Sequence, residues 1–353
     1  MDVADERVAS AIANWAPRFV ANGVDMNDFH RVTASIRRWD EWCGRWSELG
    51  REHEALMRQA LAEGHYRSAA LHGLHAAMAY HFGKFLFVDH PDELRTAHES
   101  AVRVYGEVLP YFPVPGERVA IPYEGGFMPA ILRKPPHRPH PPVVILIPGL
   151  DSVKEELHTY ADDLLERGLA TLAVDGPGQG EMEFDHPMRH DYEVAVAAAI
   201  DFLEGRPDVD ARRVGLLGVS LGGYYAPRAA AFEPRVRAAV AVAGAYDFAA
   251  HFDRLPALTQ AAFVARLHAA SREEALGRLA RFTLAGVAER IQVPLLVIMG
   301  RRDRLVPPED AERLAAEAPR AELWMIEEGN HVVNNLVYRY RPQQADWLMD
   351  RLA

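Results

Sequence analysis

Cysteine is almost absent: Cys43 stands alone in 353 residues, so no disulfide can form within the chain. Basic charge is short as well. With 39 Lys and Arg against 50 Asp and Glu, the formal net charge is -11 and no basic run stands out, which argues against a nucleic-acid partner. No stretch approaches the roughly 20 apolar residues of a membrane helix. The first ten residues, MDVADERVAS, are acidic and lack the apolar core of a secretory signal. Fixed-period repeats and low-complexity tracts are missing too. About half the residues are apolar and a quarter charged, so a globular, cytoplasmic protein without a membrane partner is expected.

Strand signals are missing from the first third. Up to residue 112 apolar residues recur every three or four positions and β-branched runs are few, which predicts four or five helices. Gly50 and Gly64 fall where helices should end, and Asp89 to Pro91 makes a break. Trp39, Trp42 and Trp46 share one helical face, where core packing explains them better than a substrate cage does. His72, His75 and His81 lack the spacing of a metal site, so neither metal nor cofactor is assigned.

After FPVPG the pattern changes. RVAIPYE and FMPAILRKP flank Gly125-Gly126 as a hairpin. A proline-rich connector, PPHRPHPP, leads into short apolar runs at 143–149, 169–176, 213–220, 236–244, 294–300 and 322–326, with helical segments between them. Such alternation predicts an α/β fold, a mostly parallel sheet of about eight strands covered by helices. The expected domains are a helical 1–112 and an α/β 113–353. Residues 247–291, helical in pattern, read as a lid insertion rather than a loop.

One serine sits in GLLGVSLGG, where a strand gives way to the helical GGYYAPRAAAF. In Gly218-Val219-Ser220-Leu221-Gly222 the turn strains the serine backbone, so the residues two positions away must be small. The helix start favours negative charge developing beside the hydroxyl. Serine needs a base, and the base needs an orienting acid. Asp303 follows the run that ends at Gly300, and His331 follows the last run. The order Ser, acid, His at three strand ends suits a nucleophile, its base and its orienter. Taken singly, Asp303 could be a turn residue among Arg301, Arg302 and Arg304, and His331 a solvated loop histidine. An oxyanion hole needs two backbone N–H donors: Leu221, after the nucleophile, and Leu150, in PGLDS after the 143–149 strand. DGPGQGE (175–181) is glycine-rich but lacks the ending of a phosphate loop and the spacing of a dinucleotide fingerprint, so it reads as a shaped loop. Glu155 and Glu156 read as dipole-compensating residues at a helix start.

These motifs together resemble the α/β-hydrolases over roughly 115–353. GLDSVKEEL, VDGPGQGE and the helical segment GHYRSAALHGLHAAMAYHFGKFLFVDHPDE resemble the branch with an N-terminal helical cap. That branch holds FrsA-like esterases, fungal polyketide-shortening hydrolases and the dihydroxypseudooxynicotine hydrolases. The resemblance implies a helical cap over 1–112 and the roles of nucleophile, acid and base for Ser220, Asp303 and His331. It also implies a small-molecule ketone or ester substrate and is compatible with a homodimer. Two groups of the branch cleave carbon–carbon bonds in ketones. Hydrolysis of a β-diketone or acyl-phenol is therefore expected, with an ester or thioester substrate, or cyclase or lyase chemistry, as alternatives. The nicotine-pathway group is associated with an extra acidic residue after the strand that follows the nucleophile helix. Here GAYDFAAHFDRLP offers Asp247, His251 or Asp253 and no glutamate. Glu181 and His81 complete the expected substrate contacts.

Overall fold

The three-to-four-residue apolar spacing of the first third produces five helices in the computed structural model, which describes residues 5–353. They are α1 (Glu6–Ala21), α2 (Met26–Ser35), α3 (Trp42–Ala62), α4 (Tyr66–Lys84) and α5 (Pro91–Val108). The first four residues of the acidic amino-terminal stretch lie outside the described residues. Asp5 and Asp25 cap α1 and α2 by accepting backbone N–H bonds, offsetting orphan donors of the first turn. Trp39 is not on α3 but in a single 3-10 turn, Trp39–Glu41, before it, because the chain is extended at Ile36 and Arg38. The tryptophans still converge in a core. Trp39 and Trp42 stack at 5.1 Å between ring centres, Trp42 lies 6.0 Å from Trp46, and Trp42 Nε1–H donates to the Phe82 carbonyl at 2.9 Å.

The chain divides into two compact units, one running to Glu117 with Pro256–Ala261 added, the other comprising Arg118–Leu255 and Ala262–Ala353. The second unit carries an eight-stranded sheet of order β1-β2-β4-β3-β5-β6-β7-β8. Its strands are β1 (Gly116–Tyr123), β2 (Gly126–Arg133), β3 (Pro142–Ile147), β4 (Ala170–Val174), β5 (Asp210–Val219), β6 (Val236–Val242), β7 (Leu295–Gly300) and β8 (Ala321–Ile326). β2 is antiparallel to β4, and from β4 onward the pairs are parallel. β3 and β4 are buried throughout, the reason they read as unbroken apolar runs.

Helices connect the parallel strands: α6 (His158–Leu165), α7 (Glu193–Glu204), α8 (Leu221–Phe232), then α9 (Phe248–His251), α10 (Ala257–Arg266) and α11 (Arg272–Leu279), and finally α12 (Pro308–Glu317), while α13 (Arg341–Leu352) follows the last strand. α9 to α11 fill the long connection between β6 and β7. Its base is pinched: Leu284 N–H donates to Tyr246 O at 2.9 Å, Phe248 N–H to Phe282 O at 3.1 Å, and Asp247 bridges Thr283. Among the described residues, no helix is long and apolar enough to cross a membrane. Parallel strands send their carboxyl ends to one edge, so the loops after β3, β4, β5, β7 and β8 gather there.

Candidate active site

β5 ends at Val219 and α8 begins at Leu221, leaving Ser220 alone to turn the chain. Its φ of 58° and ψ of -114° lie in a region that a side-chain-bearing residue rarely adopts. The turn is held by Ser220 N–H to Val242 O and Gly223 N–H to Ser220 O, both 2.8 Å. It is also too tight for side chains nearby. A Cβ on Gly218 would fall 1.9 Å from Gly222 O, and one on Gly222 would fall 2.2 Å from Ile147 O.

The loops after β7 and β8 are laced together by Arg301 N–H to Ile326 O and Arg302 N–H to Gly329 O, each 2.9 Å. Gly300 permits this, since a Cβ there would meet Gly329 O and Asn330 O at 2.4 Å. The lacing sets Asp303 beside His331. Asp303 Oδ1 accepts from the N–H groups of Leu305 (2.8 Å) and Val306 (3.0 Å), and Oδ2 lies 2.7 Å from His331 Nδ1. His331 Nε2 lies 2.9 Å from Ser220 Oγ. A carboxylate can only accept, so Nδ1 carries the proton and Nε2 is left to accept from the serine hydroxyl. Arg301 does not compete for Asp303: it pairs with Glu312 at 2.6 Å and Glu327 at 3.5 Å.

Leu221 opens α8, where its N–H has no intrahelical acceptor and meets the positive end of the helix dipole. The loop after β3 comes close: a Cβ on Gly149 would stand 3.2 Å from Ser220 Cβ and 3.7 Å from its Oγ. Leu150, next in that loop, is buried.

The model of the family described as "Esterase FrsA-like" matches residues 24–353. The 2,6-dihydropseudooxynicotine hydrolase of Paenarthrobacter nicotinovorans is 32% identical over 344 residues, 96% of this chain and 92% of that protein. The chain belongs to the FrsA-like esterase family. The crystal structure of 2,6-dihydroxy-pseudo-oxynicotine hydrolase superposes with a TM-score of 0.89 at 31% identity, covering 96% of both chains. A hydrolyase of Penicillium oxalicum, poxO, is 35% identical over 59% of this chain and 53% of its own length. This FrsA-like chain is thus an enzyme of the α/β-hydrolase type.

Beside the β3 loop of this FrsA-like chain lies a buried ion cluster. Lys154 Nζ reaches Asp175 at 2.7 Å, Glu155 at 2.8 Å and Glu181 at 2.6 Å. Glu181 also meets Arg118 at 2.5 Å. Burial would weaken the hold of Lys154 on its proton, but Asp175, Glu155 and Glu181 outweigh it and keep the ammonium well above the usual lysine range. Burial raises the Glu155 carboxyl despite the opposing pull of Lys154. Glu155 and Glu156 precede α6 instead of starting it, and their partners are Lys154 and the Ser152 hydroxyl, so the helix-dipole expectation gives way to direct pairing. The cluster was invisible in sequence because its members lie up to 27 residues apart. The signal was the lysine and two adjacent glutamates of GLDSVKEEL, directly after a fully apolar strand.

The other expected contacts are dispersed. Asp247 caps α9, accepting from Ala250 N–H at 3.1 Å. His251 Nε2 lies 3.0 Å from both oxygens of Asp310, a carboxylate that also accepts from Tyr246 N–H. Asp253 is exposed and pairs with Arg272 at 2.6 Å. His81 is buried on α4 of the helical unit, its ring against Phe82. The His53 ring, on α3, lies 6.0 Å from that of His72 and 5.1 Å from that of His75.

Proposed function

We propose that this enzyme is a serine hydrolase that cleaves a carbon–carbon bond of a β-diketone or acyl-phenol substrate through an acyl-enzyme. The observation that carries the reading is the line Ser220 Oγ, His331 Nε2 at 2.9 Å, His331 Nδ1 and Asp303 Oδ2 at 2.7 Å. Ser220 passes its proton to His331 Nε2 as Oγ bonds to the substrate carbonyl carbon. Asp303 holds the imidazole in register and stabilises the imidazolium. The alkoxide sits against the N–H groups of Leu221 and Leu150. Its collapse breaks the carbon–carbon bond, and the electron pair leaves as an enolate or phenol-stabilised carbanion. His331 returns the proton to that carbon. Water, deprotonated in turn by His331, then releases the acid from Ser220.

In this reading residues 247–291 serve as a lid, limiting water while the carbanion forms. Of the five further contacts, Asp247, His251, Asp253 and Glu181 act first on their protein partners, and His81 is buried within the helical unit. The ester or thioester reading uses the same groups and is favoured by the family's esterase description.

The deciding experiment compares the natural sequence with Ser220→Ala on aryl esters and aromatic 1,3-diketones, with products identified by mass. The proposal expects diketone cleavage that the variant loses. Turnover of esters alone would replace it by the esterase reading, and full activity in Ser220→Ala would remove covalent catalysis altogether.

A further inference from the structure

A buried amide faces the loop that supplies Leu150. Gln179, in the turn after β4, is completely buried. Its Nε2 donates to Pro148 O at 2.5 Å and to Gly149 O at 3.2 Å, while Tyr192 OH donates to its Oε1 at 2.7 Å. The orientation of the amide follows from chemistry. Two carbonyl oxygens can only accept, so the atom facing them is the NH2 group, and the oxygen faces the phenol. Burial keeps the Tyr192 phenol protonated, well above its usual range, so it remains a donor.

The Gly149 carbonyl and the Leu150 N–H belong to one peptide group. None of the described peptide bonds is cis, and in a trans peptide the C=O and N–H point in opposite directions. Holding Gly149 O toward Gln179 therefore sends the Leu150 N–H to the other side. We propose that Gln179, braced by Tyr192, is a positioning residue that aims the Leu150 N–H at the developing oxyanion. The inference rests on the oxyanion role given to Leu150 above. It also assigns a task to DGPGQGE, a string that otherwise looks like a generic glycine-rich turn.

Gln179 does not touch the substrate, so its signature is selective. Gln179→Met keeps length and approximate volume but removes both hydrogen bonds to the carbonyls. Losing one oxyanion donor outright costs about 100- to 1000-fold in kcat, so a donor left present but poorly aimed should cost roughly 10- to 100-fold. KM should change little, because substrate binding in the ground state does not use the oxyanion contact. The midpoint of the kcat/KM pH profile should stay in place, because His331 is untouched. Tyr192→Phe frees the amide without removing it and should show a smaller loss of the same kind, roughly 3- to 10-fold.

The experiment measures kcat, KM and pH profile for Gln179→Met, Tyr192→Phe and Ser220→Ala on a p-nitrophenyl ester and an aromatic 1,3-diketone. Active sites are counted by exhaustive fluorophosphonate labelling. A fall in kcat per labelled site at near-constant KM, graded Met over Phe, is the expected result. Natural kcat per site in Gln179→Met, or losses explained entirely by fewer labelled sites, would overturn the positioning role even with Ser220→Ala inactive. Activity in Ser220→Ala would instead overturn the serine mechanism, so the two failures are separable.

Discussion

Lys154→Met should destabilise the enzyme strongly at neutral pH and less so in mild acid. Methionine matches the four-atom stem of the lysine side chain but leaves Asp175, Glu155 and Glu181 without the ammonium that lies 2.6 to 2.8 Å from each. Asp175 keeps the N–H groups of Lys154 and Glu181, and Glu181 keeps Arg118, so Glu155 is left most exposed to the loss. Removing one partner of a buried ion pair costs about 3–5 kcal/mol. With a urea m-value of about 2–3 kcal/mol/M, the unfolding midpoint should fall by roughly 1–2 M. The pH dependence has a definite sign. Glu155 already titrates above the usual carboxylate range, and loss of Lys154 raises it further. The folded variant then binds a proton that the unfolded chain, with ordinary carboxyls, does not. That contribution is present in acid and disappears as pH rises through the raised value. Urea titrations followed by far-UV circular dichroism at about pH 5.5 and about pH 8 should show a deficit that is smaller in acid. Adding Glu155→Gln should recover part of it. A midpoint unchanged at pH 8, or a deficit that widens on acidification, would refute the assignment of Lys154 as the cation holding three carboxylates.

Asp303→Asn should lower kcat by about 1000- to 10000-fold. The new amide oxygen would keep the N–H groups of Leu305 and Val306, turning its NH2 toward His331 Nδ1 and leaving Nε2 protonated and unable to accept from Ser220; steady-state kinetics at constant folded fraction checks this. Gly222→Ala should lose roughly 100-fold in kcat, because its Cβ cannot pass the Ile147 carbonyl without moving the Ser220 turn, a displacement of the order of 1 Å. The helical unit should lose stability in acid. Burial, then the charge of His53, lowers the His72 and His75 titrations, so the folded state binds fewer protons than the unfolded one and stability falls as pH drops below about 6.5. Thermal unfolding followed by tryptophan emission should show this shift, and His75→Gln should reduce it.

Much of the architecture was legible because its signals are local. Six apolar runs and one hairpin marked the eight strands, and the signal was plainest in strands buried throughout, such as β3 and β4, which draw mostly on Val, Ile, Leu and Ala. Ser220, Asp303 and His331 stood out through chain order and strand ends, each readable within a few residues of itself. The break before α3 was not legible, because SIRRWDEW contains no glycine or proline and Trp39, Trp42 and Trp46 keep a helical spacing although the chain is extended at Ile36 and Arg38. The protein partners of the substrate-contact candidates were not legible either, because most of them lie far away in the chain. Asp247, His251 and Asp253 sit close together in sequence, yet one caps α9, one turns to Asp310 and one pairs with Arg272 at the surface.

Long-range pairing explains what else stayed hidden, and it unites the two strings that carried the resemblance. GLDSVKEEL follows β3 and VDGPGQGE follows β4, and neighbouring parallel strands place both loops at the same edge. The Asp175 carboxylate accepts the backbone N–H of Lys154 at Oδ1 and the Lys154 ammonium and the Glu181 N–H at Oδ2. Four residues on, Gln179 holds the carbonyls at the entrance to the same loop. Each string alone looks like a charged turn or a glycine-rich turn, because the partner that gives it meaning lies about one β-α-β crossover away. Their joint presence is a stronger mark of a braced β3 loop than either string by itself. The disruption expected from Lys154→Met in stability and from Gln179→Met in turnover should therefore couple in the double variant, since both act on the loop that carries Leu150.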